Sequence, residues 1–146
     1  MSTKVLVVDD KQMMRDSVGK TLQRAGYSIV AAPDAATALR LIARHRPAAV
    51  ITDLKMPEMD GLELLQAIRQ TDDQLPVVLM TAYGSVDTAV QAMKEGAFDF
   101  VQKPFEGEEL VITVRRAVEH RRLVQENAAL KTSTQVDEGG PVLIGR

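Results

Sequence analysis

Short apolar runs of strand length alternate along this chain with longer segments in which apolar residues recur every three or four positions. The runs are residues 4–8, 28–32, 49–52, 76–80 and 98–102. Between them, spacings such as Met14, Val18 and Leu22 are typical of amphipathic helices. The pattern therefore predicts five strands and five helices in alternation.

Polar residues and glycines at the boundaries support this alternation. Asp34 and Ser85 are placed to cap the second and fourth helices, and Gly26 and Gly96 are placed to end the first and fourth. In the fourth helix the apolar spacing predicts that four residues face the core: Val86, Ala89, Val90 and Met93.

The second to fifth runs show little alternation between apolar and polar residues. Such strands are expected in a parallel sheet whose two faces are both covered by helices. Because crossovers between parallel strands are right-handed, the predicted fold is α/β, a doubly wound five-stranded parallel sheet. The expected strand order is the flavodoxin-like order 2-1-3-4-5.

The fifth helix is predicted to begin near Glu108 and to extend past the sheet as a long C-terminal helix. Its distal part places Leu123, Asn127 and Leu130 at alternating d, a and d positions of a heptad, where a buried Asn can set the register of a dimer. Because barely two heptads are visible, an amphipathic linker without a partner helix is the competing interpretation.

The composition of the chain changes along its length and predicts four segments. Residues 1–120 form the α/β domain, 121–131 a helical linker with coiled-coil character, and 132–141 a polar, glycine-rich flexible linker. The apolar stretch 142–146 is interpreted as the start of a further domain in a longer protein.

Charge and composition exclude several classes of function. The net charge of -2 lacks the basic excess that a nucleic-acid surface requires. The absence of cysteine excludes disulfides and thiolate chemistry. Neither a secretory signal nor an apolar stretch long enough to cross a bilayer is found, and a cytoplasmic protein is predicted.

Polar residues follow four of the predicted strands, at the edge where a sheet of this order has its ligand crevice. They are Asp9, Asp10, Asp53, Thr81 and Lys103. Two carboxylates about 4 Å apart repel by about 4 kcal/mol at an effective dielectric constant of about 20, and three are expected here. A hard divalent cation relieves this repulsion, and oxygen ligands without His or Cys favour Mg²⁺.

Metal-assisted phosphoryl transfer is the chemistry that these groups favour. The predicted metal ligands are Asp10, Asp53 and the backbone carbonyl of Lys55, with Asp9 acting through a bound water. Lys103 is expected to contact a phosphoryl group from the side opposite the metal. Asp53 is the predicted nucleophile, and the product is an aspartyl phosphate.

Thr81 is predicted to donate a hydrogen bond to an oxygen of that phosphoryl group. Taken singly, each site residue also has a structural interpretation. Asp53 can open an Asx-turn, Thr81 can bond a backbone carbonyl, and Lys103 can be an ordinary surface lysine. The joint occurrence of these residue types at four strand ends favours the chemical interpretation.

The residues at the strand ends also form a set of motifs. They are Val7-Val8-Asp9-Asp10, Asp53 with Met56-Pro57 and Asp60-Gly61, Thr81-Ala82, and Lys103-Pro104-Phe105. Over residues 4–120 the chain resembles the receiver domain of two-component response regulators. The resemblance implies that a partner histidine kinase phosphorylates Asp53, with Mg²⁺ at Asp9 and Asp10. It also implies that Lys103 binds the phosphate.

Two further residues have switch roles that the resemblance implies, Thr81 as the switch hydroxyl and Phe100 as the switch aromatic. If Thr81 turns toward a new phosphoryl group, it vacates space that Phe100 can occupy. The face built from the fourth helix, fifth strand and fifth helix would then change, and this face and the C-terminal helix are the predicted homodimer contacts. An ordinary core aromatic is the competing interpretation of Phe100.

The C-terminal residues narrow the resemblance. The helical extension followed by Val142-Leu143-Ile144-Gly145-Arg146 looks like the junction to the AAA+ ATPase domain of nitrogen-regulator-type activators of sigma-54 transcription. The leading hypothesis is a switch that catalyses only its own phosphorylation and dephosphorylation and controls that ATPase through dimer rearrangement. A receiver-like interaction scaffold that takes no phosphate is the alternative. A nucleotide- or flavin-binding enzyme is disfavoured, because no glycine-rich phosphate loop follows the first strand.

Overall fold

The structure is a computed structural model that describes residues 3–56, 59–81 and 86–134. Side chains are described throughout these ranges except at Val86, at Ala89 and over 124–134. The predicted cap Ser85 and the apolar stretch 142–146 therefore lie outside the described residues, as do the side chains of Asn127 and Leu130.

The described residues form one sheet of five strands. They are β1 (Lys4–Val8), β2 (Ser28–Ala32), β3 (Ala49–Asp53), β4 (Val77–Thr81) and β5 (Asp99–Gln102). Neighbouring strands are all parallel and lie in the order β2-β1-β3-β4-β5. The predicted doubly wound α/β fold and its strand order are confirmed, and the order reverses between β1 and β3.

Five helices connect the strands and extend the C-terminal end of the fold. They are α1 (Gln12–Arg24), α2 (Ala35–His45), α3 (Gly61–Thr71), α4 (Val86–Lys94) and α5 (Gly107–Thr134). The helices α2, α3 and α4 cover one face of the sheet, and α1 and α5 cover the other.

Aliphatic side chains fill the space between the sheet and both helix layers. In β1, Leu6 and Val8 face the layer of α2, α3 and α4, while Val5 and Val7 face α1 and α5. All residues of β3 and β4 are buried. Because side chains alternate between two covered faces, these strands need no polar face, which explains their continuous apolar sequence.

Several of the predicted boundary residues lie at helix ends. Asp34 accepts a hydrogen bond from the Thr37 backbone N–H at 2.7 Å and caps α2, and this bond holds the pKa of Asp34 below its ordinary value. Gly26 and Gly96 follow α1 and α4 with φ angles of 104° and 107°, a region that favours glycine.

The orientation of α4 differs from the prediction. Val90 and Met93, predicted to face the core, are 45% and 39% exposed, and Ala92 is buried in their place. Apolar spacing marks a stripe on a helix but does not identify the surface that covers it. In α4 the small Ala92 makes the close approach to the core, and two larger apolar side chains remain at the surface.

The fifth helix is much longer than the others. α5 has 28 residues, which corresponds to about 42 Å of helix. Leu110, Val114 and Ala117 are buried on the sheet. The helix then continues to Thr134, three residues beyond the predicted boundary at 131, so the predicted extension is confirmed. The four predicted segments stay a prediction.

The distal part of α5 has an exposed apolar side chain, Leu123. It is the one predicted heptad residue whose side chain is described, so the predicted pairing of two such helices stays a prediction. Within the described ranges, none of the helices combines the length and apolar character needed to span a membrane.

Candidate functional site

The carboxyl edge, at which the strands of the sheet end, gathers the predicted site residues. Asp53 is the last residue of β3, Thr81 is the last residue of β4, and Asp9 follows β1. Val8 pairs with Thr52, so the ends of β1 and β3 lie side by side. The topology therefore brings together residues that are more than 40 positions apart in the sequence.

Three carboxylates meet at this edge. One oxygen from each of Asp9, Asp10 and Asp53 lies within 4.8 Å of the other two. Asp9 and Asp53 are buried, whereas Asp10 is exposed, so the cluster is open to solvent on the Asp10 side. Negative charges at such distances repel strongly in a partly buried site, and a positive partner stabilises them.

Lys103 is one positive partner of this cluster. Its Nζ donates a hydrogen bond to Asp53 Oδ1 at 3.2 Å, and the two side chains are 25% and 7% exposed, respectively. The Lys103 backbone N–H donates to the Thr81 carbonyl at 2.7 Å, which holds the end of β5 beside β4. The peptide between Lys103 and Pro104 is cis. Lys103 thus lies beside Asp53 as the strand order leads us to expect, and its contact with a phosphoryl group stays a prediction.

Asp9 shows the clearest deficit of positive charge. Burial raises the pKa of its carboxyl group above the ordinary value. The Lys11 backbone N–H donates to Asp9 Oδ1 at 2.9 Å and lowers the pKa in part. The negative charges of Asp53 and Asp10 raise it again, and the positive charge of Lys103 lowers it.

The second oxygen of Asp9 fits a cation site. Asp9 Oδ2 is buried and has no hydrogen-bond partner among the described residues. Buried carboxylate oxygens are normally paired, and a divalent cation or its bound water is a suitable partner for one that lies beside two other carboxylates. The donor set at this edge therefore fits Mg²⁺, whose preferred ligands are oxygens.

The loop after β3 leaves the site along a path that only glycine allows. A Cβ atom on Gly61 would lie 2.5 Å from the Asp53 carbonyl oxygen and 2.9 Å from Leu54 Cα. The Gly61 N–H donates to the Leu54 carbonyl at 2.8 Å. From the sequence, Asp60-Gly61 indicates only a turn. The need for glycine comes from the close approach of Gly61 to the backbone of Asp53 and Leu54, which only the folded loop shows.

Lys55 lies in this loop, two residues beyond Asp53, and its side chain is exposed. The Leu54 N–H before it donates to the Met80 carbonyl at 2.9 Å, so the first part of the loop continues the pairing of β3 with β4. Ligation of a metal by the Lys55 carbonyl stays a prediction.

Thr81 and Phe100 lie on the same face of neighbouring strands. Phe100 pairs with Leu79, two residues before Thr81, and packs on the cluster to which Leu79 belongs. Thr81 is buried and Phe100 is half-buried. A half-buried aromatic on the same face as the predicted switch hydroxyl is the arrangement that the switch interpretation requires.

One residue at this edge was not predicted from the sequence. The Nη1 atom of Arg15, the fourth residue of α1, donates a hydrogen bond to the Asp9 carbonyl at 2.6 Å. Its partner is a backbone carbonyl oxygen. Because every residue carries such an oxygen, no sequence motif indicates this contact.

A concave surface elsewhere on the molecule has no part in this chemistry. A groove of about 640 Å³ lies between α2 and α3, and the described residues that line it include none of the predicted site residues. The convergence of charged groups, and not the size of a cavity, therefore locates the site.

The sequence pattern of the response regulator receiver domain matches residues 5–115 of the chain. The chain belongs to this family. Receiver domains are phosphorylation-dependent switches that bind Mg²⁺ at acidic residues and interact with histidine kinases and effector domains. The acidic cluster at the carboxyl edge is the corresponding feature of this chain.

Several proteins resemble this receiver domain along most of its length. It is 39% identical over 142 residues to the C4-dicarboxylate transport transcriptional regulatory protein DctD of Rhizobium meliloti (strain 1021), covering 97% of this chain and 31% of that protein. It is 40% identical over 136 residues to the regulatory protein AtoC of Escherichia coli (strain K12), covering 90% of this chain and 30% of that protein. The chain thus spans about a third of the length of these curated relatives.

Solved structures agree with the family assignment. The crystal structure of the receiver domain of NtrX from Brucella abortus is 38% identical, with a TM-score of 0.77. The match covers 79% of this chain and 98% of the NtrX domain. The fold predicted from the strand order is therefore the fold of a receiver domain.

Proposed function

We propose that Asp53 accepts a phosphoryl group from a histidine kinase in a Mg²⁺-dependent reaction and that the modified domain switches a downstream domain. The observation that carries the proposal is the position of the Asp53 carboxylate. Its Oδ1 lies 3.2 Å from the Lys103 ammonium, and one of its oxygens lies within 4.8 Å of oxygens of Asp9 and Asp10. A nucleophile flanked by a fixed cation and a metal-ligand set is the arrangement that phosphoryl transfer requires.

In the proposed phosphoryl transfer, this chain and the histidine kinase supply the reacting groups. An Asp53 carboxylate oxygen attacks phosphorus, the new O–P bond forms, and the N–P bond of a kinase phosphohistidine breaks, leaving its electron pair on the imidazole. Lys103 pairs with the phosphoryl oxygens, and the Thr81 hydroxyl donates a hydrogen bond to one of them. Attack of water on the aspartyl phosphate reverses the modification, and no separate substrate is turned over.

A metal ion completes the proposed site. Asp10, Asp53 and the Lys55 carbonyl would hold it directly. Asp9 Oδ2, which has no hydrogen-bond partner among the described residues, would accept a hydrogen bond from one of its waters. When bound, Mg²⁺ supplies positive charge that neutralises the phosphoryl oxygens. Lys103 remains necessary, because it contacts the group from the opposite side.

Acetyl phosphate, a small phosphoryl donor, tests this proposal directly. Incubation with acetyl phosphate and Mg²⁺ followed by intact mass measurement should show one phosphoryl group on the wild type. The adduct should be absent from Asp53→Asn and present in Asp73→Asn, an exposed aspartate away from the site. A wild type that gains no phosphoryl group would instead support the alternative, a receiver-like scaffold that takes no phosphate.

The proposed switch couples Thr81 to Phe100. The two residues share a face of β4 and β5, so movement of Thr81 toward a phosphoryl group changes the space available to the half-buried Phe100. On phosphorylation of the wild type we expect the NMR signals of the Phe100 ring to shift. Thr81→Ala should still take a phosphoryl group on Asp53 but should lose this shift. An unaltered response of Phe100 in Thr81→Ala would remove Thr81 from the switch.

The proposed homodimer face surrounds the edge strand β5. Val90 and Met93 on α4 and Ile112 on α5 are exposed apolar side chains on either side of it, with Ile112 46% exposed. Exposed apolar residues clustered in this way are typical of an interaction surface. The distal part of α5, with Leu123, is proposed to extend the same contact.

Sedimentation with and without beryllofluoride, which mimics the phosphoryl group, tests the dimer. We expect the association state or the arrangement of the dimer to change on addition of the mimic. Ile112→Glu should abolish that change, whereas Ala43→Glu, on the exposed side of α2, should retain it. Equal behaviour of the two variants would place the dimer contact elsewhere.

The downstream partner is proposed to be an AAA+ ATPase domain that acts in sigma-54-dependent transcription. Support comes from the relative DctD, a transcriptional regulatory protein of which this chain spans 31%, and from the continuation of α5 to Thr134. Nucleic-acid binding is assigned to other parts of such a protein, because this chain has a net charge of -2. The cytoplasmic location stays a prediction from the sequence.

A further inference from the structure

Arg15 connects α1 to the peptide between the first two acidic residues of the site. Its Nη1 atom donates to the Asp9 carbonyl oxygen at 2.6 Å, and the arginine is partly buried. This carbonyl belongs to the peptide group that joins Asp9 to Asp10. The orientation of that single peptide therefore affects where both carboxylates lie.

The segment between β1 and α1 has few other constraints. The residue before α1 is Lys11, whose side chain makes no capping hydrogen bond, and the first turn contains no acidic residue. The Asp9 N–H donates to the Ala32 carbonyl at 3.2 Å, and the Lys11 N–H donates to Asp9 Oδ1 at 2.9 Å. These bonds hold the peptide group before Asp9 and the Oδ1 atom of Asp9. The Asp9 carbonyl is instead held by the hydrogen bond from Arg15.

We propose that Arg15 is a positioning residue for the divalent-cation site. By holding the Asp9 carbonyl, it fixes the position of Asp9 Oδ2, which has no partner among the residues that the structure describes, and it keeps the Asp10 carboxylate within 4.8 Å of Asp53. This inference rests on the proposed Mg²⁺ binding and adds a residue that touches neither metal nor phosphoryl group. Partners in the outer shell of a metal site act in this way, by orienting the ligands.

Two effects of Arg15 on metal affinity have opposite signs, and this makes the inference testable. The guanidinium is a positive charge near a cation site, so its removal by charge alone would tighten Mg²⁺ binding. Loss of the carbonyl hydrogen bond would weaken binding, by about 10- to 100-fold for typical outer-shell partners. The sign of the change therefore distinguishes a positioning role from a simple charge.

The experiment measures the Mg²⁺ dissociation constant by NMR titration in the absence of any phosphoryl donor. Arg15→Met should raise the dissociation constant about 10-fold or more. Arg15→Lys, which keeps a donor for the carbonyl, should recover most of this loss. Arg24→Met, an exposed arginine at the other end of α1, is the matched control and should bind Mg²⁺ as the wild type does.

The metal-free spectrum provides a readout independent of affinity. The Asp10 amide shares its peptide group with the Asp9 carbonyl, so its resonance should shift in Arg15→Met and return toward the wild-type position in Arg15→Lys. Urea unfolding without Mg²⁺ establishes that each variant is folded. If Arg15→Met does not fold, Arg15→Gln replaces it with the same expected loss, because its shorter side chain does not reach the carbonyl.

Several outcomes would overturn the inference. Unchanged or tighter Mg²⁺ binding by Arg15→Met would show that Arg15 acts by charge alone or not at all. Equal weakening in Arg15→Lys and Arg15→Met would show that donation to the carbonyl is not what the site requires. A wild type that binds no Mg²⁺ would instead remove the proposed metal site itself, which distinguishes the two failures.

Discussion

The two edges of the sheet differ in whether their charged groups have hydrogen-bond partners. At the carboxyl edge, three carboxylates lie close together, the Lys103 ammonium pairs with Asp53, and one buried oxygen of Asp9 has no partner among the described residues. At the amino edge, where the strands begin, Arg69 donates hydrogen bonds to the carbonyls of Gly96, Asp72 and Leu75. The carboxyl edge has an excess of charge that a ligand can satisfy, whereas the charge at the amino edge is already satisfied.

The contacts of Arg69 explain why the amino edge is structural. Its hydrogen bonds, between 2.7 and 3.2 Å long, join the end of α3, the loop before β4 and the turn before β5. Burial lowers the pKa of Arg69, and the Asp72 carboxylate partly offsets this shift. Asp72 also pairs with Arg121 of α5 at 3.3 Å. Satisfied polar groups stabilise a fold, and unsatisfied ones are kept where function needs them.

The largest expected effect comes from removing the arginine of the amino edge. Arg69→Met should lower the free energy of unfolding by about 2–4 kcal/mol, because three carbonyls lose a charged donor. Urea unfolding without Mg²⁺ measures this effect. Arg44→Met, an exposed arginine of α2, is the control and should change stability by less than about 0.5 kcal/mol. Similar values for the two variants would contradict a structural role of the amino edge.

Metal binding should act at the carboxyl edge. At about one hundred times its dissociation constant, Mg²⁺ should stabilise the wild type by about 2.7 kcal/mol, and a chelator should remove this gain. Asp10→Ala should show little gain, because a predicted ligand is lost, whereas Asp73→Asn should show the full gain. Thermal unfolding with and without Mg²⁺ is the measurement, and equal gains in both variants would place the metal elsewhere.

Removal of a carboxylate should stabilise the metal-free protein. Asp9→Asn keeps an acceptor for the Lys11 N–H but removes a buried charge that Asp53 and Asp10 oppose. In chelator at neutral pH, its free energy of unfolding should exceed that of the wild type by about 1–2 kcal/mol. Loss of Mg²⁺ binding should accompany this gain, because the stabilising change removes a functional group.

The pH dependence of that gain has a definite sign. Asp9 holds its proton more tightly in the folded state, because its pKa is raised above the ordinary value of 3.8. Its contribution to stability is therefore present below the unfolded-state pKa and is lost as the pH rises through the folded-state pKa. The difference in free energy of unfolding between Asp9→Asn and the wild type should grow as the pH rises from the unfolded-state pKa of Asp9 to its folded-state pKa. Above the folded-state pKa the difference should stay constant. Urea midpoints measured against pH would contradict this if the difference narrowed.

The smallest expected effect concerns the ion pair at the amino edge. Arg121 and Asp72 are 20% and 33% exposed, so Arg121→Met should cost only about 0.5 kcal/mol, and less at high salt. Arg116 pairs with Asp99 at 3.8 Å and is 63% exposed, so Arg116→Met should have no measurable effect. A larger loss in Arg116→Met than in Arg121→Met would reverse the expected order.

The residues whose position in the fold the sequence predicted correctly are those that end strands. Asp53, Thr81 and Lys103 follow apolar runs, and in a parallel sheet all such ends lie at one edge. The prediction for α4 was wrong at Val90 and Met93, because apolar spacing marks a stripe on a helix but does not show whether the core covers it. Arg15 and Arg69 could not be predicted, because their partners are backbone carbonyls, which every residue carries.

The sequence by itself determined the alternation of strands and helices, through its apolar periodicity. It also determined which polar residues follow the strands and therefore lie at the carboxyl edge of a parallel sheet. These features are local, since each follows from a residue and its near neighbours in the chain. Only the tertiary structure decided that Lys103 reaches Asp53, that Asp9 Oδ2 has no partner in the described part of the chain and that Arg15 holds the Asp9 carbonyl. Electrostatic and hydrogen-bond energies depend on distances between atoms from separate segments, and those distances exist only once the segments have packed.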